Sequence, residues 1–174
     1  MSEPAMPLVT ALARDTVAPA QSRQYLTFRL GEGEYGVPIL DVQEIKGQPM
    51  ITPIPNAPPH LPGVMNVRGM IAPVVDLRVK FSLPDAGYDR FTVIILVAVG
   101  GKLVGMVVDA VSDVVDLPEA EIQAVPDFGA QVDVGFVSGL AHVGERLLVL
   151  LDVGKLLGGD VRVGEGPPVT GSLP

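Results

Sequence analysis

The chain is built from short runs of β-branched residues, each closed after a few positions by Gly or Pro. Val occurs 28 times and Ile 8 times against 19 Leu, and the 174 residues include 20 Gly and 17 Pro. β-branched side chains suit a pleated sheet, and frequent Gly and Pro prevent long helices. These features predict an all-β fold of sandwich or barrel type. The predicted strands cover residues 25–30, 35–39, 50–54, 64–68, 71–75, 91–99, 103–109, 111–115 and 147–151.

A first short helix is predicted over residues 40–45. Asp41 can cap it, and Glu44 follows three positions later, as in a capping box. Leu40 and Ile45 would then pack together and face inward as a hydrophobic staple.

A second short helix is predicted over residues 152–157, capped by Asp152 and ended by Gly158.

A proline-rich segment follows the first predicted helix, with six prolines within residues 49–62. Proline fixes φ and lacks a backbone donor, so this segment is predicted to be a stiff strap with at most an edge strand in it.

The chain resembles itself at two offsets. A shift of 76 positions places residues 74–77 on 150–153, and in each run a strand leads into an Asp, Asp76 or Asp152, that caps a short helix. A shift of 69 positions aligns the turn at Gly31 with the turn at Gly100. These offsets predict two related β units joined near residues 83–90.

The predicted organisation is a central domain between two flexible ends. The ranges are 1–22 for the flexible N-terminal segment, 23–158 for the domain, about 24–83 and 91–157 for its two barrel subdomains, and 159–174 for the flexible tail.

Charge is distributed unevenly along the chain. Residues 1–90 carry 8 Lys and Arg against 9 Asp and Glu, whereas residues 91–174 carry 4 against 11. An acidic chain is a poor ligand for nucleic acid, because phosphate binding needs clustered cations. The acidic half is either a solvated face or a docking surface for a basic partner. No signal peptide and no run long enough to span a membrane is evident, which favours a cytoplasmic protein.

The sequence contains no constellation that would support catalysis. It has no Cys and only two His, His60 and His142, so zinc has too few ligands. No nucleophile elbow surrounds Ser112 or Ser138. The aspartates lack calcium-loop spacing and are interpreted as a solvated strand edge; they are Asp109, Asp113 and Asp116. We expect no enzyme activity, no metal and no cofactor.

Two glycines, Gly63 and Gly69, bracket a short apolar strand in which Arg68 is the single charge. The segment is either an ordinary β-hairpin or a groove floor that a partner approaches closely, with Arg68 as the polar anchor. Two interpretations of Val42 also remain: its side chain is either exposed or shares the buried face of Ile45.

Several motifs follow one another in a fixed order along the chain. They are Leu30-Gly-Glu-Gly-Glu-Tyr-Gly, Ile39-Leu-Asp-Val-Gln-Glu-Ile, Gly63-Val-Met-Asn-Val-Arg-Gly, Pro73-Val-Val-Asp-Leu-Arg-Val-Lys-Phe, residues 105–113 and residues 147–157. On these motifs the sequence resembles the CheW family of bacterial chemotaxis coupling proteins from about Gln24 to Leu157.

The resemblance implies two five-stranded SH3-like β-barrels around a shared hydrophobic core. It implies a non-catalytic adaptor that couples the cytoplasmic tip of methyl-accepting chemoreceptors to the regulatory domain of the histidine kinase CheA. Such a protein would be cytoplasmic and peripheral to the inner membrane through receptor arrays, without inserting into the membrane. The alternative is a related scaffold in a non-flagellar pathway, such as type IV pilus motility.

The resemblance also implies site residues. The receptor-binding positions are Val42, Gly63, Asn66, Arg68, Gly69 and Ile71. The kinase-binding positions are Glu44 and Ile45. Many relatives have Lys immediately before the first glycine, where this chain has Pro62, so an ion pair made there would be absent or relocated.

Overall fold

The computed structural model describes residues 22–47, 50–84, 87–126 and 135–165, with side chains placed as far as residue 159. The predicted flexible ends therefore lie mostly outside the described residues. The exceptions are Ser22, which begins the first strand, and residues 159–165, which are helical.

The described chain forms ten strands and two α-helices. The strands are β1 (Ser22–Leu30), β2 (Gly33–Pro38), β3 (Val42–Gly47), β4 (Gly63–Val67), β5 (Met70–Asp76), β6 (Val93–Val99), β7 (Lys102–Val108), β8 (Ala110–Pro118), β9 (Val137–Val143) and β10 (Arg146–Leu151). The helices are α1 (Leu77–Lys80) and α2 (Val153–Glu165).

Two five-stranded sheets result, in the orders β8-β1-β2-β10-β9 and β3-β6-β7-β5-β4. Neighbouring strands are antiparallel except for two parallel pairs, β2 with β10 and β5 with β7. We call the first sheet barrel 1 and the second barrel 2.

Each barrel combines strands from both sequence repeats. The hairpin β1–β2 joins β8–β10, whereas the hairpin β6–β7 joins β3–β5. The strand registers agree with the 69-residue offset. Val42 lies opposite Val97 in barrel 2, and the residues equivalent to them, Val111 and Phe28, lie opposite each other in barrel 1. A register shift occurs beside each of these pairs. The same strand pairing therefore recurs at the 69-residue offset. The predicted subdomain boundaries are wrong, because the two repeats exchange their first hairpins and neither barrel is a continuous half of the chain.

The second offset is equally regular. Gly63 lies opposite Val74 in barrel 2, and 76 positions along Gly139 lies opposite Leu150 in barrel 1. Each repeat also ends as predicted, with an Asp after a buried strand capping a helix.

The main hydrophobic core lies between the two sheets, and each barrel has a smaller core of its own. Burial of apolar area at these three clusters supplies the principal stabilisation. The predicted all-β class, with two five-stranded units around a shared core, is confirmed. The largest fully buried side chains are Phe28, Leu30, Leu77, Ile94, Ile95, Leu96, Met106, Leu148, Leu150, Leu151, Leu157 and Val37.

The helix predicted over residues 40–45 is wrong. Ile39–Asp41 forms one 3₁₀ turn, and the chain continues as β3, which pairs with β6. Leu40 is 89% exposed and Ile45 is 43% exposed, so neither faces inward as a staple. Pairing of a β-branched segment with β6 outweighs the local helix signal, which is weak in a segment this short.

The two caps are confirmed. Asp76 Oδ1 accepts the Arg78 N–H at 3.0 Å at the start of α1, and Asp152 Oδ1 accepts the Lys155 N–H at 3.1 Å in α2. The predicted end of α2 at Gly158 is wrong, because the helix continues to Glu165. Gly158 is not among the glycines with positive φ. A glycine ends a helix by adopting that left-handed conformation, which is absent here.

The strand predicted over residues 50–54 is also wrong. In this part of the strap only Thr52 pairs, through reciprocal backbone hydrogen bonds with Val64 at 2.8 and 2.9 Å. The flanking prolines cannot donate, so pairing does not extend. Conversely, β9 was not predicted, although its equivalence to β4 at the 76-residue offset would have indicated it.

Arg78 occupies a buried polar cluster between the repeats. Its side chain is 3% exposed, and its Nη1 lies 3.3 Å from Asp109 Oδ1 and donates to the Gly87 carbonyl. The Asp109 carboxylate also accepts the Gly31 N–H at 2.7 Å. Burial alone would lower the pKa of Arg78, but the hydrogen bond and charge of Asp76, together with the charges of Asp109 and Tyr88, raise that pKa overall. The interpretation of Asp109 as a solvated edge residue is therefore wrong, since it holds Arg78 and the β1–β2 turn.

Candidate protein-docking face

The turn between β4 and β5 brings the predicted residues together. Arg68 and Gly69 both have positive φ, 51° and 87°, as in the type I′ turns that suit two-residue hairpins. Asn66 Oδ1 accepts the Gly69 N–H at 2.8 Å and closes the turn. A side chain at Gly69 would meet no atom within 4 Å, so backbone conformation, not crowding, favours glycine there.

An ion pair connects this turn to the edge strand β3. Arg68 Nη1 lies 2.7 Å from Glu44 Oε1, and Lys46 Nζ lies 3.2 Å from the other carboxylate oxygen. The hydrogen bonds from Arg68 and then Lys46 lower the pKa of Glu44. The Arg68 side chain is 69% exposed, so its guanidinium keeps donors available to a partner.

An apolar side chain is exposed beside these charges. Asn66 and Ile71 are directly opposed across β4 and β5 and both are exposed, with Ile71 at 55%. We call the set Glu44, Asn66, Arg68, Gly69 and Ile71 the hairpin face. It combines an exposed aliphatic group with charged and amide groups, the composition expected of a protein-docking surface.

Val42 and Ile45, on β3, flank this face. Val42 is half-buried and packs against the core between the sheets, so it is neither fully exposed nor on a buried face shared with Ile45, which is itself exposed. Ile45 projects outward.

A groove of about 760 Å³ runs beside the hairpin face. Its walls come from the end of β3, the proline strap and β4, and they include Lys46, Met50 and Asn66. Met50 is 82% exposed. Lys46 and Met50 were not predicted as site residues. Strand alternation over 42–47 would have placed Lys46 on the same side as Glu44, had the segment been interpreted as a strand.

Gly63 occupies a different environment from the other predicted positions. It is buried, and a Cβ there would overlap the Thr52 carbonyl oxygen and lie 2.7 Å from its carbon. The chain's own strap therefore fills the space that a partner was expected to approach. The interpretation of Gly63 as an open groove floor is wrong; it positions the strap against β4.

Within the described residues, no group of three or more His, Asp or Glu side chains is arranged to hold a metal ion. Among the described helices, none is long and apolar enough to cross a membrane. The described residues do supply an exposed face that combines aliphatic, amide and charged side chains.

Comparison with known proteins places this chain in a class of signalling scaffolds. The family model for the CheW-like domain matches residues 24–160. The crystal structure of the scaffolding protein TtCheW from Thermoanaerobacter tengcongensis superposes with a TM-score of 0.69 at 33% identity, covering 74% of this chain and 88% of that one. Its two SH3-like barrels correspond to the two five-stranded units seen here.

Curated relatives support the same assignment to the CheW family. The chemotaxis protein CheW of Klebsiella aerogenes is 44% identical over 149 residues, covering 86% of this chain and 87% of the relative. CheW of Rhizobium meliloti is 33% identical over 140 residues, covering 80% and 90%. Protein FrzA of Myxococcus xanthus is 31% identical over 152 residues, covering 84% and 94%. The fold and its relatives define a chemotaxis adaptor rather than an enzyme. The chain belongs to the CheW family.

Proposed function

We propose that this protein couples the cytoplasmic tip of methyl-accepting chemoreceptors to the regulatory domain of the histidine kinase CheA, at the cytoplasmic side of receptor arrays. Family membership supports the adaptor class. The observation that carries the finer proposal is the hairpin face, where Ile71 is exposed next to the Arg68–Glu44 ion pair.

The receptor-binding residues are Val42, Asn66, Arg68, Gly69 and Ile71. A receptor tip is a bundle of helices, and an amphipathic helix docks by laying apolar side chains into a groove. Ile71 and the groove beside Asn66 offer the apolar contact. The exposed donors of Arg68 offer a charge-assisted hydrogen bond, which fixes orientation. Gly63 contributes indirectly, by seating the strap that forms one wall.

Kinase binding is proposed at Glu44 and Ile45 on the edge strand β3. Ile45 presents an outward apolar side chain, and Glu44 is shared with Arg68 of the receptor-binding set. Because one ion pair joins both sets, a partner that draws Arg68 away from Glu44 would change the charge that the kinase meets. This arrangement would let receptor docking influence the kinase contact.

Reconstitution of kinase activity tests the proposal. Purified protein is added to receptor-containing membranes and CheA, and CheA autophosphorylation is measured with and without it. The proposal requires that the protein increase kinase activity only when receptors are present. Equal CheA activity with and without the protein, in samples that contain receptor membranes and CheA at matched concentrations, would refute the coupling function.

A further inference from the structure

Methionine is the oxidisable residue type of this chain, which contains six Met and no Cys. Met65 and Met106 are buried, at 6% and 0% exposure. Met50 and Met70 are exposed, at 82% and 54%. The remaining two, Met1 and Met6, lie outside the described residues. Oxidation of a thioether requires access to its sulfur, so among the four described methionines Met50 and Met70 are the reactive ones.

Both exposed methionines adjoin the hairpin face. Met70 lies between Gly69 and Ile71 at the start of β5. Met50 lines the groove together with Asn66. No other described methionine is exposed, so the oxidation-sensitive methionines of the described residues border the surface proposed to dock a receptor. Methionine suits such a surface when reduced, because its flexible, polarisable side chain adapts to a partner's apolar groups.

The chemistry is a single oxygen transfer. A two-electron oxidant such as hydrogen peroxide delivers one oxygen atom to the thioether sulfur, which is oxidised to a sulfoxide while the peroxide is reduced to water. The sulfoxide is polar and accepts hydrogen bonds. Docking would then have to remove water from this group without supplying a partner, which is unfavourable. Methionine sulfoxide reductases return the thioether, one enzyme for each sulfoxide epimer.

We propose that Met50 and Met70 form a reversible oxidation switch on the hairpin face: their sulfoxides weaken receptor docking, and their reduction restores it. The modification itself depends only on exposure. Its effect on docking rests on the function proposed above.

The test uses the full chain treated with graded hydrogen peroxide. Peptide mass spectrometry measures sulfoxide at each methionine, and co-sedimentation with receptor-containing membranes measures docking. We expect sulfoxide at Met50 and Met70 before Met65 and Met106, docking weakened at least tenfold, and recovery after treatment with both reductases. The double variant Met50→Leu/Met70→Leu, compared with its own untreated sample, should lose no docking on treatment, since leucine has no sulfur and a similar volume.

The outcomes separate the two proposals. If the untreated protein does not co-sediment with receptors, the receptor function is wrong and the switch falls with it. If the untreated protein docks and the protein with sulfoxide at both positions docks equally well, the switch alone is wrong. Equal loss in the treated double variant would also overturn it, because the damage would then lie elsewhere in the chain.

Discussion

At the scale of single residues, Arg68 combines two unusual properties. It is a non-glycine residue with positive φ, and it carries the guanidinium that pairs with Glu44. A left-handed backbone disfavours any residue with a Cβ, so a less strained residue would stabilise the turn. In the proposed function the Arg68 side chain serves docking rather than folding, because its exposed guanidinium pairs with Glu44 and keeps donors available to a partner.

Two substitutions at Arg68 separate these roles. Both Arg68→Ala and Arg68→Gly remove the guanidinium, and both should weaken receptor docking by about 1–3 kcal/mol, roughly 5- to 150-fold. The glycine variant should nevertheless be more stable than the alanine variant by about 1 kcal/mol, because it has no Cβ in the left-handed conformation. Co-sedimentation with receptor-containing membranes measures the loss of docking, and urea unfolding measures the difference in stability between the two variants. Wild-type docking by both folded variants would show that Arg68 is only a surface residue.

The carboxylate of Glu44 reports on the same pair. Its pKa is lowered by hydrogen bonds from Arg68 and Lys46, so the folded protein binds that proton less readily than the unfolded chain. The ionised Glu44 carboxylate therefore stabilises the folded protein at pH values above the ordinary glutamate pKa. This stabilisation is lost as the pH falls through the lower pKa that Glu44 has in the folded protein. A carbon-detected NMR titration should show Glu44 below the ordinary glutamate range, and Arg68→Ala should raise its pKa. An unchanged pKa in Arg68→Ala would contradict the pairing.

At the scale of elements, the proline strap and β4 are fitted together at a glycine. Among the described strap residues, 50–62, only Thr52 pairs with β4, and a Cβ on Gly63 would overlap the Thr52 carbonyl oxygen. Gly139 has a corresponding environment in barrel 1, where a Cβ would lie 2.6 Å from Ile122 Cγ2. In both barrels an irregular segment therefore packs against an edge strand at a glycine: the strap against β4 at Gly63, and the segment at Ile122 against β9 at Gly139.

Gly63→Ala should destabilise the fold by about 3 kcal/mol or more, because the new Cβ meets backbone that cannot turn aside. Gly69→Ala should cost about 1 kcal/mol, since only its positive φ is unfavourable. The free energies of unfolding of the two variants, measured in urea, show whether Gly63→Ala is the more destabilising substitution. Equal values would mean that the strap moves freely and that Gly63 faces open space after all.

At the scale of the whole molecule, the exchange of hairpins between repeats makes both barrels depend on the buried contacts that join the two halves. Arg78 is central among them, since it connects α1, the segment at Gly87 and, through Asp109, the β1–β2 turn. Removing one partner of a buried ion pair leaves the other charges without compensation.

Arg78→Met should therefore destabilise the protein by about 3–5 kcal/mol. Arg23→Met is the matched control: Arg23 pairs with Glu119 at 2.9 Å but is 62% exposed, so its loss should cost at most about 1 kcal/mol. Urea unfolding of both variants gives the comparison. Similar small losses would show that Arg78 does not hold the repeats together.

Much of this fold could be predicted from local patterns, and the exceptions have physical causes. The Val-rich runs, the Gly turns and the caps at Asp76 and Asp152 are local, and they were found. The exchange of hairpins is a long-range pairing that no local pattern encodes, so the subdomain boundaries were wrong. Residues 40–45 carried a cap signal that pairing with β6 overrode.

The site was predictable to a similar extent. Arg68 and Gly69 lie at the turn that their sequence indicates, with Asn66 and Ile71 beside them. The resemblance assigned Gly63 to a partner, and the sequence around a glycine does not show which atoms fill the space beside it. The residue that fills its space, Thr52, lies 11 positions away in the strap.

The hairpin face as the receptor-docking surface is the central claim, and one paired comparison tests it most directly. Ile71 in barrel 2 and Leu147 in barrel 1 are equivalent at the 76-residue offset and similarly exposed, at 55% and 49%. Co-sedimentation with receptor-containing membranes should show Ile71→Ala binding at least fivefold more weakly, while Leu147→Ala binds as the wild type does. Equal binding by the two variants, whether both retained or both lost, would contradict the claim.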